Sequence, residues 1–269
     1  MELEELLSNL TAKLKRLNEF RPLSPQELSN IHRSKKFEHV WSSNKIEGST
    51  IEYNETVSIL EYGLTVEGRP VKDILETLDL SEAYDYMEEL VLGKVELSEM
   101  TIKNLNQIAT KLTAKPGQVP GQYRNTVVFP AGAEFNPYPA PYLVRSQMEN
   151  LITWSKENKE QLHPVQYAAE LHQRFVTIHP FIDGNGRTAR LLMEFALTSQ
   201  GYPVTNIQPD AQSRIEYIQA LAHSQKTGDM TSFVSLVAKY VDKELDERLA
   251  ILELHERNLK AHNTSDDVY

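Results

Sequence analysis

There is no cysteine among the 269 residues, so no disulfide staples the chain and no thiolate is available as nucleophile or metal ligand. Basic residues are in short supply. Lys and Arg number 28 against 38 Asp and Glu, a net charge of −10, which is the wrong sign for a protein that grips nucleic acid along a basic face. Any anion site must therefore be local. No apolar run approaches the roughly 18 residues of a membrane span, and the opening Met1-Glu2-Leu3-Glu4-Glu5 lacks the basic and apolar regions of a secretory signal. Together with the missing cysteine, this gives an expectation of a cytoplasmic protein with no membrane or nucleic-acid partner. Proline and glycine are sparse and unevenly spread, with six of the 13 prolines and three of the 11 glycines inside residues 115–141.

What is present elsewhere reads as helix. Leu3, Leu6, Leu7, Leu10, Leu14 and Leu17 repeat near a 3.6 period. Ser24-Pro25-Gln26-Glu27 has the form of a capping box with Pro at N1, so a helix starts there and runs toward residue 46. Residues 63–70 form a loop. Ile74, Leu75, Leu78, Ala83, Tyr84, Met87 and Leu90 mark a further helix, and Ile102, Leu105, Ile108 and Leu112 another after the cap Ser98. The proline-rich stretch 115–141 surrounds a short apolar run, Val127-Val128-Phe129, and predicts a loop carrying a β-hairpin. Ile215, Ile218, Leu221 and Ala222 predict a late helix, residues 233–259 one or two more, and residues 263–269 a disordered tail.

The chemistry concentrates in His179-Pro180-Phe181-Ile182-Asp183-Gly184-Asn185-Gly186-Arg187-Thr188-Ala189-Arg190. Pro180 pushes the residue before it out of the α region, so the helix over 164–178 stops near His179. Gly184 and Gly186 let backbone amides approach a ligand, and a new helix begins around Asn185. Its free N–H groups and positive dipole end attract phosphate. Arg187 and Arg190 are three apart and project on one face, with forks that match phosphate oxygens. Asp183 stands where a carboxylate can hold the magnesium that accompanies a nucleotide, and His179 can take a proton from an attacking hydroxyl. Gly184-Asn185-Gly186-Arg187-Thr188-Ala189 also satisfies a dinucleotide fingerprint, with Asp210 downstream, but that motif needs a βαβ unit and the segment before it reads as helix.

The run 179–190 resembles the Fic motif, HxFx(D/E)GNGRxxR, with every fixed position present. The resemblance implies an all-α Fic-type helical bundle with a small β-hairpin flap, and an enzyme that transfers the AMP part of ATP to a protein hydroxyl with Mg2+. It implies His179 as general base, Asp183 as metal ligand and Asn185 as a nucleotide-phosphate contact. It further implies Gly184, Gly186 and Arg187 as the hole for the α- and β-phosphates and Arg190 as the γ-phosphate ligand. Tyr217 resembles a position that contacts the adenine. Residues 121–129, among them Arg124, Asn125, Thr126, Val127 and Val128, look like the flap on which a target protein docks as an added strand.

Upstream, Ser43 and Glu47 are four apart and share a helix face, and Gly48 suits the end of that helix. Ser43-Asn44-Lys45-Ile46-Glu47-Gly48 resembles the Fic inhibitory motif, in which the glutamate pairs with the second arginine, here Arg190, and takes the space of the γ-phosphate. In some members the same glutamate is linked to removal of AMP. The implied organisation is an N-terminal helical region over 1–96, a Fic core over 97–240 and a C-terminal helix and tail over 241–269. Self-modification and a homo-oligomeric state are both left open. Two other readings compete: transfer of a different phosphate-linked group, and a non-catalytic regulatory module. The kinase-like relatives carry Lys at the position of Gly186, which favours AMP transfer here, and the intact base and arginines argue against a decayed module.

Overall fold

The computed structural model describes residues 3–20, 25–130 and 136–266. Ten α-helices and a short 3-10 turn at Pro141–Leu143 make up the regular structure of those residues, and none of them is in a strand. The helices are α1 (Leu3–Glu19), α2 (Pro25–Ile46), α3 (Tyr53–Tyr62), α4 (Val71–Leu92), α5 (Glu99–Ile108), α6 (Val144–Asn158), α7 (Pro164–Ile178), α8 (Asn185–Ser199), α9 (Ala211–Thr227) and α10 (Thr231–Asp266).

Their ends follow local chemistry. Ser98 caps α5 by accepting from Thr101 N–H while the Thr101 hydroxyl answers the Ser98 backbone. Asp210 caps α9 through Gln212 and Ser213 N–H, and Gly63 and Gly228 close α3 and α9 in the left-handed conformation. α2 begins at Pro25, while Ser24, its expected cap, lies outside the described residues.

α7 and α8 pack against each other at the centre, and most of their side chains are buried. α4, α5 and α2 lie against α8, α6 and α10 against α7, and α1 covers α10. One hydrophobic cluster runs through these layers, from Leu6 through Tyr84, Phe175 and Leu191 to Leu245. A helix pair buried on this scale is a rigid mount for the six-residue turn 179–184 that joins it.

Two expectations need correction. The β-hairpin does not form among the described residues: residues 121–130 contain a turn and bends and no strand. Its polar backbone is met in other ways, with Arg124 N–H donating to Pro180 O at 2.8 Å and Asn136 Nδ2 to Val128 O at 3.0 Å. Prolines at 130, 137, 139 and 141 also deprive any returning arm of ladder donors. Secondly, the chain beyond 262 continues α10 to Asp266, because nothing between Thr231 and Asp266 is a glycine or proline that would break it. The late helix forms as expected, as α9, with Tyr217 and Ser224 buried and Ile215 and Ile218 exposed.

Candidate functional site

The turn between α7 and α8 is tied down from several sides. His179 ends α7 at φ 49, ψ 58, outside the right-handed region that Pro180 denies it. The Asn185 side chain closes the turn on itself, accepting from Phe181 N–H and donating to Phe181 O, both at 2.9 Å. Gly184 sits at φ 75, and a Cβ there would lie 2.4 Å from Thr110 Cγ2 and 2.9 Å from Asn106 Nδ2, so only glycine fits. Asn106 Nδ2 donates to Asp183 O at 2.9 Å and its Oδ1 accepts from Gly121 N–H at 3.1 Å, which fastens the turn to the start of the flap. α8 therefore presents its N-terminal amides and dipole to a fixed place.

Around that place stand the charged residues. Asp183 Oδ1 accepts from Gly184 N–H at 2.6 Å, and the side chain is half exposed. Arg187 is buried, with Nη2 3.4 Å from Asp183 Oδ1 and 3.6 Å from Glu76 Oε1 of α4, and its Nη1 has no partner. A buried guanidinium with an unused donor fits an anion. Among the described residues no three His, Asp or Glu gather as a metal cage. One half-exposed carboxylate is nonetheless what a magnesium ion needs when phosphates and water supply its other ligands, and Asp183 fits that role.

Arg190 is buried and already engaged. Its Nε donates to Ser43 Oγ at 2.7 Å, and its Nη2 to Ser43 O at 2.9 Å and to Glu47 Oε1 at 2.6 Å. Nη1 lies 3.4 Å from the Tyr217 hydroxyl. Burial alone would raise the Glu47 carboxyl, but the charge and hydrogen bond of Arg190, helped by Arg187, hold it below the ordinary carboxylate range. A Cβ on Gly186 would fall 2.1 Å from Glu47 Oε1, so the Glu47 carboxylate lies over the first turn of α8. It stands as an internal anion at the helix N-terminus. Arg214 Nε, from α9, donates to Ile46 O at 2.9 Å and so secures the end of α2 that carries Glu47.

His179 completes the site. Its ring stacks on Tyr138, centroids 3.9 Å apart and planes at 18°, and Nδ1 lies 3.3 Å from Val176 O. Burial lowers its pKa to about 4, against the opposing pull of the Val176 carbonyl, so at neutral pH the imidazole is uncharged and able to accept a proton.

The predicted residues of the turn and of α2 thus converge, with changes of part for some. Asn185 has its side chain committed to the Phe181 backbone. Tyr217 is buried among His172 and Phe233, its hydroxyl 3.0 Å from His172 Nε2, and braces Arg190 from inside the core. Arg124, expected on the docking surface, is buried instead: Nε donates to His179 O at 2.7 Å, Nη1 to Thr126 O at 3.0 Å and Nη2 to Pro139 O at 2.7 Å. A guanidinium bridging three carbonyls is a brace. Asn125, Thr126 and Val127 remain exposed and Val128 half-buried. Sequence reasoning missed Asn106, Glu76 and Tyr138. Only Tyr138, between two prolines beside the flap, carried any local signal.

The helical fold sets a glycine turn, an uncharged imidazole and two buried arginines at one helix N-terminus, an arrangement suited to a phosphate ligand. The comparisons agree. Residues 96–197 match the Fic/DOC family model. "Protein adenylyltransferase Fic" of Nematostella vectensis is 32% identical over 98% of this chain and 61% of its own length, and that of Drosophila persimilis 34% identical over 81% and 42%. This chain thus spans about half the length of those curated relatives. Among solved structures, a Fic-1 fragment from C. elegans superposes with a TM-score of 0.82 at 25% identity, covering 94% of this chain and 73% of that one. A Fic-domain signaling protein from Bacteroides thetaiotaomicron gives 0.80 at 28%, covering 92% and 97%. The chain carries a Fic/DOC family domain over residues 96–197.

Proposed function

We propose that this chain transfers AMP from ATP to a hydroxyl side chain of a target protein and that Glu47 restrains the transfer. The carrying observation is the Glu47–Arg190 pair laid across the N-terminus of α8. Residues that would receive the terminal phosphate are assembled but already hold a carboxylate. The relatives named protein adenylyltransferase Fic support the choice of AMP as the group transferred.

In this reading His179 Nε2 takes the proton of the target hydroxyl as its oxygen bonds to the α-phosphorus and pyrophosphate leaves. Arg187 and the amides of the 184–187 turn hold phosphate oxygens, and Arg190 receives the γ-phosphate once Glu47 withdraws. Asp183 would hold magnesium, which when bound would neutralise phosphate charge. The exposed Asn125–Val127 backbone offers a target segment the strand partner that the flap lacks, and the helices before residue 97 form the regulatory part. Among the described residues the hydrogen bond from Arg190 falls on Glu47 Oε1 and none falls on Oε2, and the side chain is 45% exposed. That free oxygen favours a second use of the same residue, orienting water for removal of AMP.

Intact-mass spectrometry of the Glu47→Gly protein after incubation with ATP and magnesium tests the proposal. An added AMP on the chain itself is expected, and it should vanish in the additional His179→Ala variant. A phosphate adduct would favour phosphotransfer, and no adduct on the chain or on an added protein substrate would overturn the enzymatic reading.

A further inference from the structure

His179 is held by more than its position at the end of α7. With Nδ1 3.3 Å from Val176 O, the tautomer that satisfies that carbonyl carries its proton on Nδ1 and leaves the Nε2 lone pair free. Tyr138 covers one face of the ring. Tyr138 is itself tied in place, flanked by Pro137 and Pro139, whose rings fix φ, with its own N–H donating to Asn136 Oδ1 at 3.1 Å. Arg124 joins the two partners of the stack, since one guanidinium donates to His179 O and to Pro139 O, each at 2.7 Å.

We propose that Tyr138 is a positioning residue for the base: its ring clamps the His179 imidazole against rotation and keeps water from one face, so that Nε2 is presented edge-on to the incoming hydroxyl. The proposal rests on the reading of His179 as the base for AMP transfer and extends it to the loop that faces the target. A stacked aromatic contributes through its face, so the ring matters here and the hydroxyl does not.

The clamp also bears on charge. The groups that face His179 are Arg124 from the loop, which disfavours its protonation, and Glu47 from α2, Asp183 from the turn and the Val176 carbonyl, which favour it. Burial outweighs them, and the stacked Tyr138 ring covers one face of the imidazole. Removing it readmits water and leaves the two carboxylates to act, so the imidazole should titrate closer to its ordinary value.

Two readouts separate this clamp from the function on which it rests. In the nucleotide-free protein, the His179 imidazole is followed by NMR against pH, its signal assigned by its loss in His179→Gln. Tyr138→Ala should raise the His179 pKa by about one unit or more toward the unperturbed value near 6.5, and Tyr138→Phe should leave it in place. In the Glu47→Gly background, Tyr138→Ala should lower kcat about tenfold or more without changing the KM for ATP, and Tyr138→Phe should restore the rate. A His179 titration unmoved by Tyr138→Ala would overturn the clamp whether or not the protein transfers AMP. So would a Tyr138→Phe variant as impaired as Tyr138→Ala, since the hydroxyl would then be the active part. If the parent protein transfers no AMP, the functional reading fails, and the titration still decides the stack.

Discussion

Replacing Glu47 by glycine should release the enzyme, and the size of the gain can be worked from the contacts of Arg190. That guanidinium keeps its bonds to Ser43 Oγ and O and its approach to Tyr217 when Glu47 is removed, so it stays aimed at the phosphate site. What is lost is one charge-assisted hydrogen bond of 2.6 Å to a carboxylate whose side chain is 45% exposed. Such bonds stabilise by about 1.5–3 kcal/mol when well shielded. Solvent screening of the exposed partner reduces this to about 1–2 kcal/mol, or roughly a five- to thirtyfold rise in the rate of AMP transfer. The same change removes an anion from the N-terminus of α8, so the nucleotide-free variant should unfold slightly more easily even as it works faster. Because the Glu47 pKa lies below its ordinary value, the carboxylate stays charged at neutral pH. The wild-type restraint should weaken only as pH falls through that depressed pKa, and the variant-to-wild-type rate ratio should be flat between about pH 6 and 8. Initial rates of labelled AMP incorporation at saturating ATP and magnesium measure all of this. Combining Glu47→Gly with Arg190→Ala should erase most of the gain, since both act on one interaction. A Glu47→Gly protein no faster than wild type on the same target would refute the reasoning.

Two more substitutions probe the same helix. Gly186→Ala puts a Cβ where Glu47 Oε1 now lies, 2.1 Å away; the flexible glutamate should be displaced, so that in this background Glu47→Gly no longer changes ATP affinity by calorimetry. A full additional effect of Glu47→Gly would show that Glu47 had stayed docked. Glu194, two turns into α8, is fully buried with Oε1 unpartnered, and burial raises its pKa well above the ordinary value. A raised carboxyl stabilises most below its unfolded pKa and costs stability as pH rises. Glu194→Gln, which keeps an acceptor for Thr205 N–H, should therefore stabilise the fold by about 1–3 kcal/mol at pH 8 and by little at pH 5; an equal gap in urea unfolding at both pH values would contradict the assignment.

How much of this was readable in the sequence depends on whether the determining contact is local. The stop at His179 was, because Pro180 acts on its immediate neighbour, and so was the start of α8 at the two glycines. The shared face of Ser43 and Glu47 was also readable, since a four-residue spacing on a helix fixes it. That this face meets Arg190, 147 residues from Ser43, came only from the resemblance, as no spacing rule reaches across five intervening α-helices. Arg124 and Tyr138 show the opposite failure. In a proline-rich loop, an arginine reads as a surface charge and a tyrosine as a rigid spacer, and both readings hold until the loop folds back on the end of α7. There Arg124 finds the carbonyl of His179, which has no partner within its own helix, and Tyr138 finds the ring of the same residue. The expected hairpin failed for a related reason: its backbone groups are met by the Asn136 side chain and by the 179–184 turn, not by a second strand. If a target strand pairs with the outer edge of this loop, as proposed, its arrival is coupled to the position of His179 through the one guanidinium that bonds the loop to the end of α7. Pattern along the chain located each partner of that coupling, and only the packing of α7 against the loop joins them.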